Sequence, residues 1–102
     1  MSKYIITFRL NDDEDYDIRL ADVKEFLENE STNYIEDTTT STIFCKGINL
    51  HGKLSSSGLL KSSDNVLFAI LDDSNKLIKF TRVKGATLYK VSSDIRQLFD
   101  IE

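Results

Sequence analysis

A chain of 102 residues with 40% hydrophobic and 29% charged residues is sized for one hydrophobic core, and its four tyrosines and six phenylalanines exclude a disordered polymer. The net charge of −4 is not that of a general nucleic-acid binder, and the lack of proline, of a long Gly/Ser linker and of a fixed-period repeat leaves no internal domain boundary over residues 1–102. Cys45 stands alone, which excludes an intrachain disulfide and a multi-cysteine zinc site, and the opening MSKYIITFRL has too short an apolar run for a signal peptide or membrane span; a reducing, cytoplasmic setting without membrane association is expected.

Lys3 to Leu10 is rich in β-branched and aromatic residues and ends at Asn11, Asp12 and Asp13, which predicts a strand and a turn. From Asp17 to Glu30, Leu20, Val23, Phe26 and Leu27 recur at three- and four-residue spacings with acids on the other side, an amphipathic helix. Asn33 to Thr39 and Ser41 to Lys46 flank a Thr/Ser turn and predict a hairpin. Within Gly47 to Asn65, Leu54, Leu59 and Leu60 support only a short helix. The continuous apolar run Val66 to Leu71 predicts a central strand buried on both faces. Leu77 to Val83 and Ala86 to Val91 read as further strands joined at Lys84 and Gly85, and Ser93 as the N-cap of a last helix holding Ile95, Leu98 and Phe99. Two helices interleaved with strands in this order predict an α+β fold, a ferredoxin-like antiparallel sheet with both helices on one face plus a C-terminal strand and helix extension.

The runs KYIITFRLN and EDTTTSTIFCK resemble the first strand and hairpin of the SinR-like small proteins, a group similar in fold to the CRISPR adaptation endoribonucleases and the GhoS-type antitoxins. The resemblance covers the first half of the chain. It implies a ferredoxin-like homodimer, acting as a binding protein or antitoxin. In the nucleases of that group an aspartate follows the aromatic that ends the first strand and holds a divalent metal; here Phe8 is followed by Arg9, and a guanidinium repels a cation.

The remaining candidates are weighed by the chemistry each residue type allows. Asn11, Asp13, Asp15 and Asp17 alternate like the first ligands of a calcium loop and Asp22 falls at the twelfth position, but Tyr16 stands where the sharp turn needs glycine. Asp12, Asp13, Asp15 and Asp17 are thus metal candidates only as a solvated acidic turn, whose charge suits the following helix N-terminus. Gly47 to Lys53 satisfies most of a phosphate-binding loop, except that Leu54 replaces the magnesium-binding hydroxyl. Cys45 and His51 are the sole residues of their types; Cys45 shares a strand face with Ile43 and is expected in the core, whereas His51 is expected in solvent. Six cations, Lys76, Lys79, Arg82, Lys84, Lys90 and Arg96, face a single acid, Asp94, late in the chain, while acids crowd the first third.

Arg9, Lys79, Arg82, Lys84 and Lys90, with Tyr89 and Phe80 between the later cations, are the candidate binding residues, because cations track phosphates and aromatics stack bases. The expected function is a non-enzymatic regulatory or interaction module, antitoxin-like and homodimeric, binding a protein partner or RNA without a small-molecule cofactor. The alternatives are a metal-dependent endoribonuclease in which Asp12, Asp13 or Asp37 replaces the missing acid, and an acidic phage or mobile-element inhibitor presenting Asp12 to Asp17 to a basic partner.

Overall fold

The computed structural model describes residues 1–84 and Leu98. The elements run β1 (Ser2–Arg9), α1 (Tyr16–Glu30), β2 (Ser31–Asp37), β3 (Thr42–Gly47), α2 (Leu50–Ser56), β4 (Asn65–Leu71) and β5 (Leu77–Lys84). The five strands form one antiparallel sheet in the order β2-β3-β1-β4-β5. The predicted strand over 86–91 and the helix from Ser93 lie outside the described residues, apart from Leu98, which is helical and exposed.

Register follows from the two-residue period of β1. Tyr4, Ile6 and Phe8 point to one side and are buried, Ile5, Thr7 and Arg9 point to the other, and any one-residue slip would exchange the two sets. Ile6 stands between Ile43 of β3 and Phe68 of β4, both fully buried, so the central strands present one apolar face to the helices. On that face Val23 and Leu27 of α1 and Leu50 and Leu54 of α2 join Tyr4, Ile6, Phe8, Ile43, Cys45, Val66, Phe68 and Ile70 in a single core.

Both helices lie in connections that pass over a neighbouring strand: β1 reaches β2 by α1 across β3, and β3 reaches β4 by α2 across β1. The order departs from a four-stranded split arrangement in that β5 extends the sheet beyond β4. α1 stops at Ser31, whose hydroxyl donates to the Leu27 carbonyl while its backbone N–H returns to Glu28, and the chain leaves extended into β2. α2 starts earlier than Leu54, Leu59 and Leu60 suggest, because Leu50 with Leu54 supplies the apolar pair and the Leu50 amide donates to the Tyr4 hydroxyl at 3.3 Å. Gly47 makes this close entry possible: a Cβ there would stand 3.0 Å from Leu50 Cγ.

The hairpin turn is held by Asp37, whose Oδ1 accepts from the backbone and hydroxyl of Thr39 at 2.9 and 2.6 Å, with Ser41 in the left-handed region. Asp72 does the same between β4 and β5, accepting from the amides of Ser74 and Lys76, with Asn75 left-handed.

A buried ion pair fixes α1 against the strand ends. Asp64, fully buried just before β4, accepts hydrogen bonds from the amides of Asn11 at 2.8 Å and Lys61 at 2.7 Å and pairs with Arg19. Arg19 also reaches Asp13 at 3.0 Å, and Lys61 reaches the same carboxylate at 2.8 Å. Arg19 lies four residues before Val23 on the apolar stripe, so it enters the core and requires an acid there.

Candidate docking face

Among the described residues, no element covers the side of the sheet away from the helices. β4 is therefore not buried on both faces as its apolar run predicts: Val66, Phe68 and Ile70 are buried, but Leu67, Ala69 and Leu71 are only half-covered, since both helices lie on the other side. The same face carries Ile5 at 36% exposure, Phe44 at 42% and Ile35 at 68%, aligned across three strands by the pairs Ile5–Phe44 and Ile35–Phe44. Two shallow hollows mark it. One of about 340 Å³ is lined by Ile5, Ile35, Phe44 and Leu71 among others, and one of about 410 Å³ by Ile5, Thr7, Leu67, Ala69, Leu71, Leu77 and Phe80. Large contiguous apolar surfaces are uncommon on monomeric proteins.

Its charge differs from that of the whole chain. By strand alternation and pairing Lys3, Arg9, Lys46 and Arg82 belong to the open face, with Asp37 as its acid. Lys3 is held by Asn75 Oδ1 at 2.6 Å, whereas Arg9, Lys46 and Arg82 form no ion pair with a described residue. The acids Asp17, Asp22, Glu25, Glu28 and Glu30 are exposed along α1, on the helix layer. Folding thus separates an acidic layer from a cationic, apolar sheet face.

The structure divides the predicted binding residues. Arg9 and Arg82 come together, lining with Thr7, Phe8, Asn65 and Leu67 a hollow of about 210 Å³ at one end of the open face. Lys79 does not join them: it pairs with buried Ile70, which puts it on the helix side, where its charge acts on His51. Lys84 is the last residue of β5, opposite Val66, and Tyr89 and Lys90 lie outside the described residues.

The acidic turn is a brace as well as a surface. Asp13 is engaged by Lys61 and Arg19 and accepts from the Asp15 amide, and the Lys61 bond, although opposed by partial burial, leads the effects that hold its carboxyl below the usual range. Asp12, Asp15 and Asp17 are exposed, and among the described residues no three His, Cys, Asp or Glu side chains are grouped to hold a metal ion. The loop resembling a phosphate cradle shrinks to Ile48 and Asn49 before α2 begins, and Lys53 is directed to Glu30 at 3.3 Å.

Cys45 is buried beside Ile43, as its strand position predicts, and burial pushes its thiol up, away from the reactive thiolate. His51, expected in solvent, is instead half-buried against the Tyr4 and Phe68 rings, each centroid 6.1 Å away, because α2 begins one residue before it. Burial and then the Lys79 charge lower its pKa, and its buried Nδ1 has no hydrogen-bond partner. No hydrogen bond joins it to Cys45. No described helix is long and apolar enough to cross a membrane.

Thr7, Ile35 and Phe44 lie in the first strand and the Thr-rich hairpin, the segments that the sequence offers as surfaces together with the basic C-terminal one; Asn65 and Leu67 of β4 are the face residues that sequence reasoning missed. A signal for this face was present in the alternation of Ile5 with Ile6 and of Phe44 with Cys45, which requires an apolar residue on each side of β1 and β3. No family model, curated protein or solved structure matches the chain.

Proposed function

We propose that this protein is a non-enzymatic interaction module that acts as a homodimer, two copies meeting through the open faces of their sheets. The observation that carries this reading is the band of Ile5, Ile35, Phe44, Leu67, Ala69 and Leu71 on a face that no described element covers. Five strands about 4.8 Å apart and about seven residues long offer roughly 550 Å² of flat area, the scale on which a standard interface of about 800 Å² of accessible surface per partner is built. An isologous sheet-on-sheet contact leaves the acidic helix layers on the outside, away from each other, and brings the cations of both open faces to one interface, a like-charge cost that burial of the apolar band must exceed and that salt reduces. Thiol burial at Cys45 and the lack of a hydrogen bond between it and His51 favour binding over nucleophilic catalysis, and Arg9 at the end of β1 favours it over metal-assisted cleavage.

A ferredoxin-like scaffold of the SinR-like kind is part of the same reading, supported by the two strand-skipping crossovers, with β5 as an addition on the β4 edge. Regulation by a small module of this kind follows from presenting a paired surface to a further partner. Sedimentation equilibrium tests the proposal: the expected result is a dimer that Phe44→Asp converts to a monomer with unchanged circular dichroism. A chain that is monomeric at every concentration, or a Phe44→Asp variant that remains dimeric, overturns it.

A further inference from the structure

We propose that the hollow at the end of the open face is a phosphate site, in which Arg9, Asn65 and Arg82 bind the oxyanion of a phosphate ester. β1 and β4 set Arg9 directly opposite Asn65, and β5 sets Arg82 beside Leu67, two residues along β4. Strand pairing therefore brings two arginines, an asparagine and Thr7 around one hollow of about 210 Å³ whose described lining includes no carboxylate. Neither arginine is matched by a described acid; the ion pairs formed go to Arg19, Lys24, Lys53, Lys61 and the N-terminal amine. The Nε–H of Arg82 is shut off from water and has no acceptor among the described residues. A buried donor without a partner is costly, and an oxyanion that a small turn of the guanidinium lets it reach removes that cost.

The chemistry selects phosphate over a carboxylate. Two cations match the two negative charges of a phosphate monoester, or the single charge of a diester with one cation left to track the next group, and its tetrahedral oxygens accept from several directions at once. A carboxylate carries a single charge and two oxygens in one plane, so it matches two arginine forks less fully than a phosphate does. The phosphate can belong to a small metabolite or to the backbone of single-stranded RNA, and the hollow lies at the rim of the face, open to either.

Nuclear magnetic resonance of the arginine Nε–Hε pairs in the full chain tests the site, with inorganic phosphate and a short single-stranded oligoribonucleotide as the two ligands and sodium chloride at matched ionic strength as the control. Saturable shifts at Arg9 and Arg82 with phosphate, and not with chloride, are expected, together with a loss of affinity of roughly tenfold or more in Arg82→Met. Arg82→Lys keeps the charge without the planar fork and is expected to recover only part of that loss. An oligoribonucleotide that binds more tightly than inorganic phosphate, with a steep salt dependence, identifies RNA as the source; equal or weaker binding identifies a small phosphate. Shifts reproduced by chloride alone, or full binding in folded Arg82→Met and Arg9→Met variants, overturn the proposal. The Phe44→Asp variant separates the two ideas, since the phosphate site is complete in one copy.

Discussion

Replacing Asp64 by Asn keeps the shape of the side chain and removes its charge. Arg19 is then left in the protein with only Asp13 to answer it, and the amides of Asn11 and Lys61 compete for one carbonyl oxygen and an amide group that cannot accept. Breaking a buried ion pair from one side costs about 3–5 kcal/mol, and because the Arg19 side chain retains 9% of its exposure the lower end, about 3 kcal/mol, is expected. For a domain of this length that is a fall in Tm of roughly 12–24 °C, out of a total stability of about 5–15 kcal/mol. Urea and thermal unfolding of the wild type, Asp64→Asn, Arg19→Met and the double variant measure it, and the double variant should lose clearly less than the sum of the singles. The pair also has a pH signature. Burial raises the Asp64 carboxyl, but Arg19 and the Asn11 and Lys61 amides outweigh it and leave its pKa below the ordinary value, so its contribution is complete above about pH 4 and is lost as pH falls through the lowered value. A loss in Asp64→Asn below about 1 kcal/mol, or additive singles, refutes the view that this pair locks α1 to the sheet.

His51 gives a second, separate window. Its folded-state pKa is lowered, so the unfolded chain binds the proton first; stability is full above about pH 6.5 and declines as pH falls toward the lowered value, a slope that His51→Gln should abolish in urea midpoints taken from about pH 7.5 down to about pH 5.5. Tyr34 acts at the other extreme: burial, then the charges of Glu36 and Glu28, push its phenol up to about 12, so its neutral form stabilises the fold below pH 10 and that contribution disappears as pH rises through 12, seen as a late phenolate absorbance change that Tyr34→Phe removes. Gly47→Val should destabilise by about 1–3 kcal/mol in chemical unfolding, because a Cβ at 3.0 Å and its methyls would push Leu50 off the sheet, whereas Gly58→Asn, at a φ of 77° with open space around it, should cost much less.

Period and punctuation made most elements readable before any coordinates. The two-residue alternation of Tyr4, Ile6 and Phe8, the helical spacing of Val23, Phe26 and Leu27, and the turn from Asp72 to Asn75 are local properties, set by side-chain direction and backbone hydrogen bonding within a few residues, whereas the hairpin turn starts at Asp37, two residues before the expected strand end at Thr39. The α+β composition and the core place of Cys45 follow from the same rules. The short helix was harder because its apolar pair, Leu50 and Leu54, is interrupted by Gly52 and enters through a left-handed Asn49.

What the tertiary structure alone decided is which surface is left uncovered. An unbroken apolar strand such as Val66 to Leu71 has the same pattern whether one of its faces meets helices or both do, and only the placement of α1 and α2 on the same side leaves Leu67, Ala69 and Leu71 half-open. The partner of Arg19 is 45 residues away, and the approach of Arg9 to Arg82 depends on β4 lying between β1 and β5. Spacing along the chain carries no information about such pairs, because strand order, and not sequence distance, determines which charges share a surface.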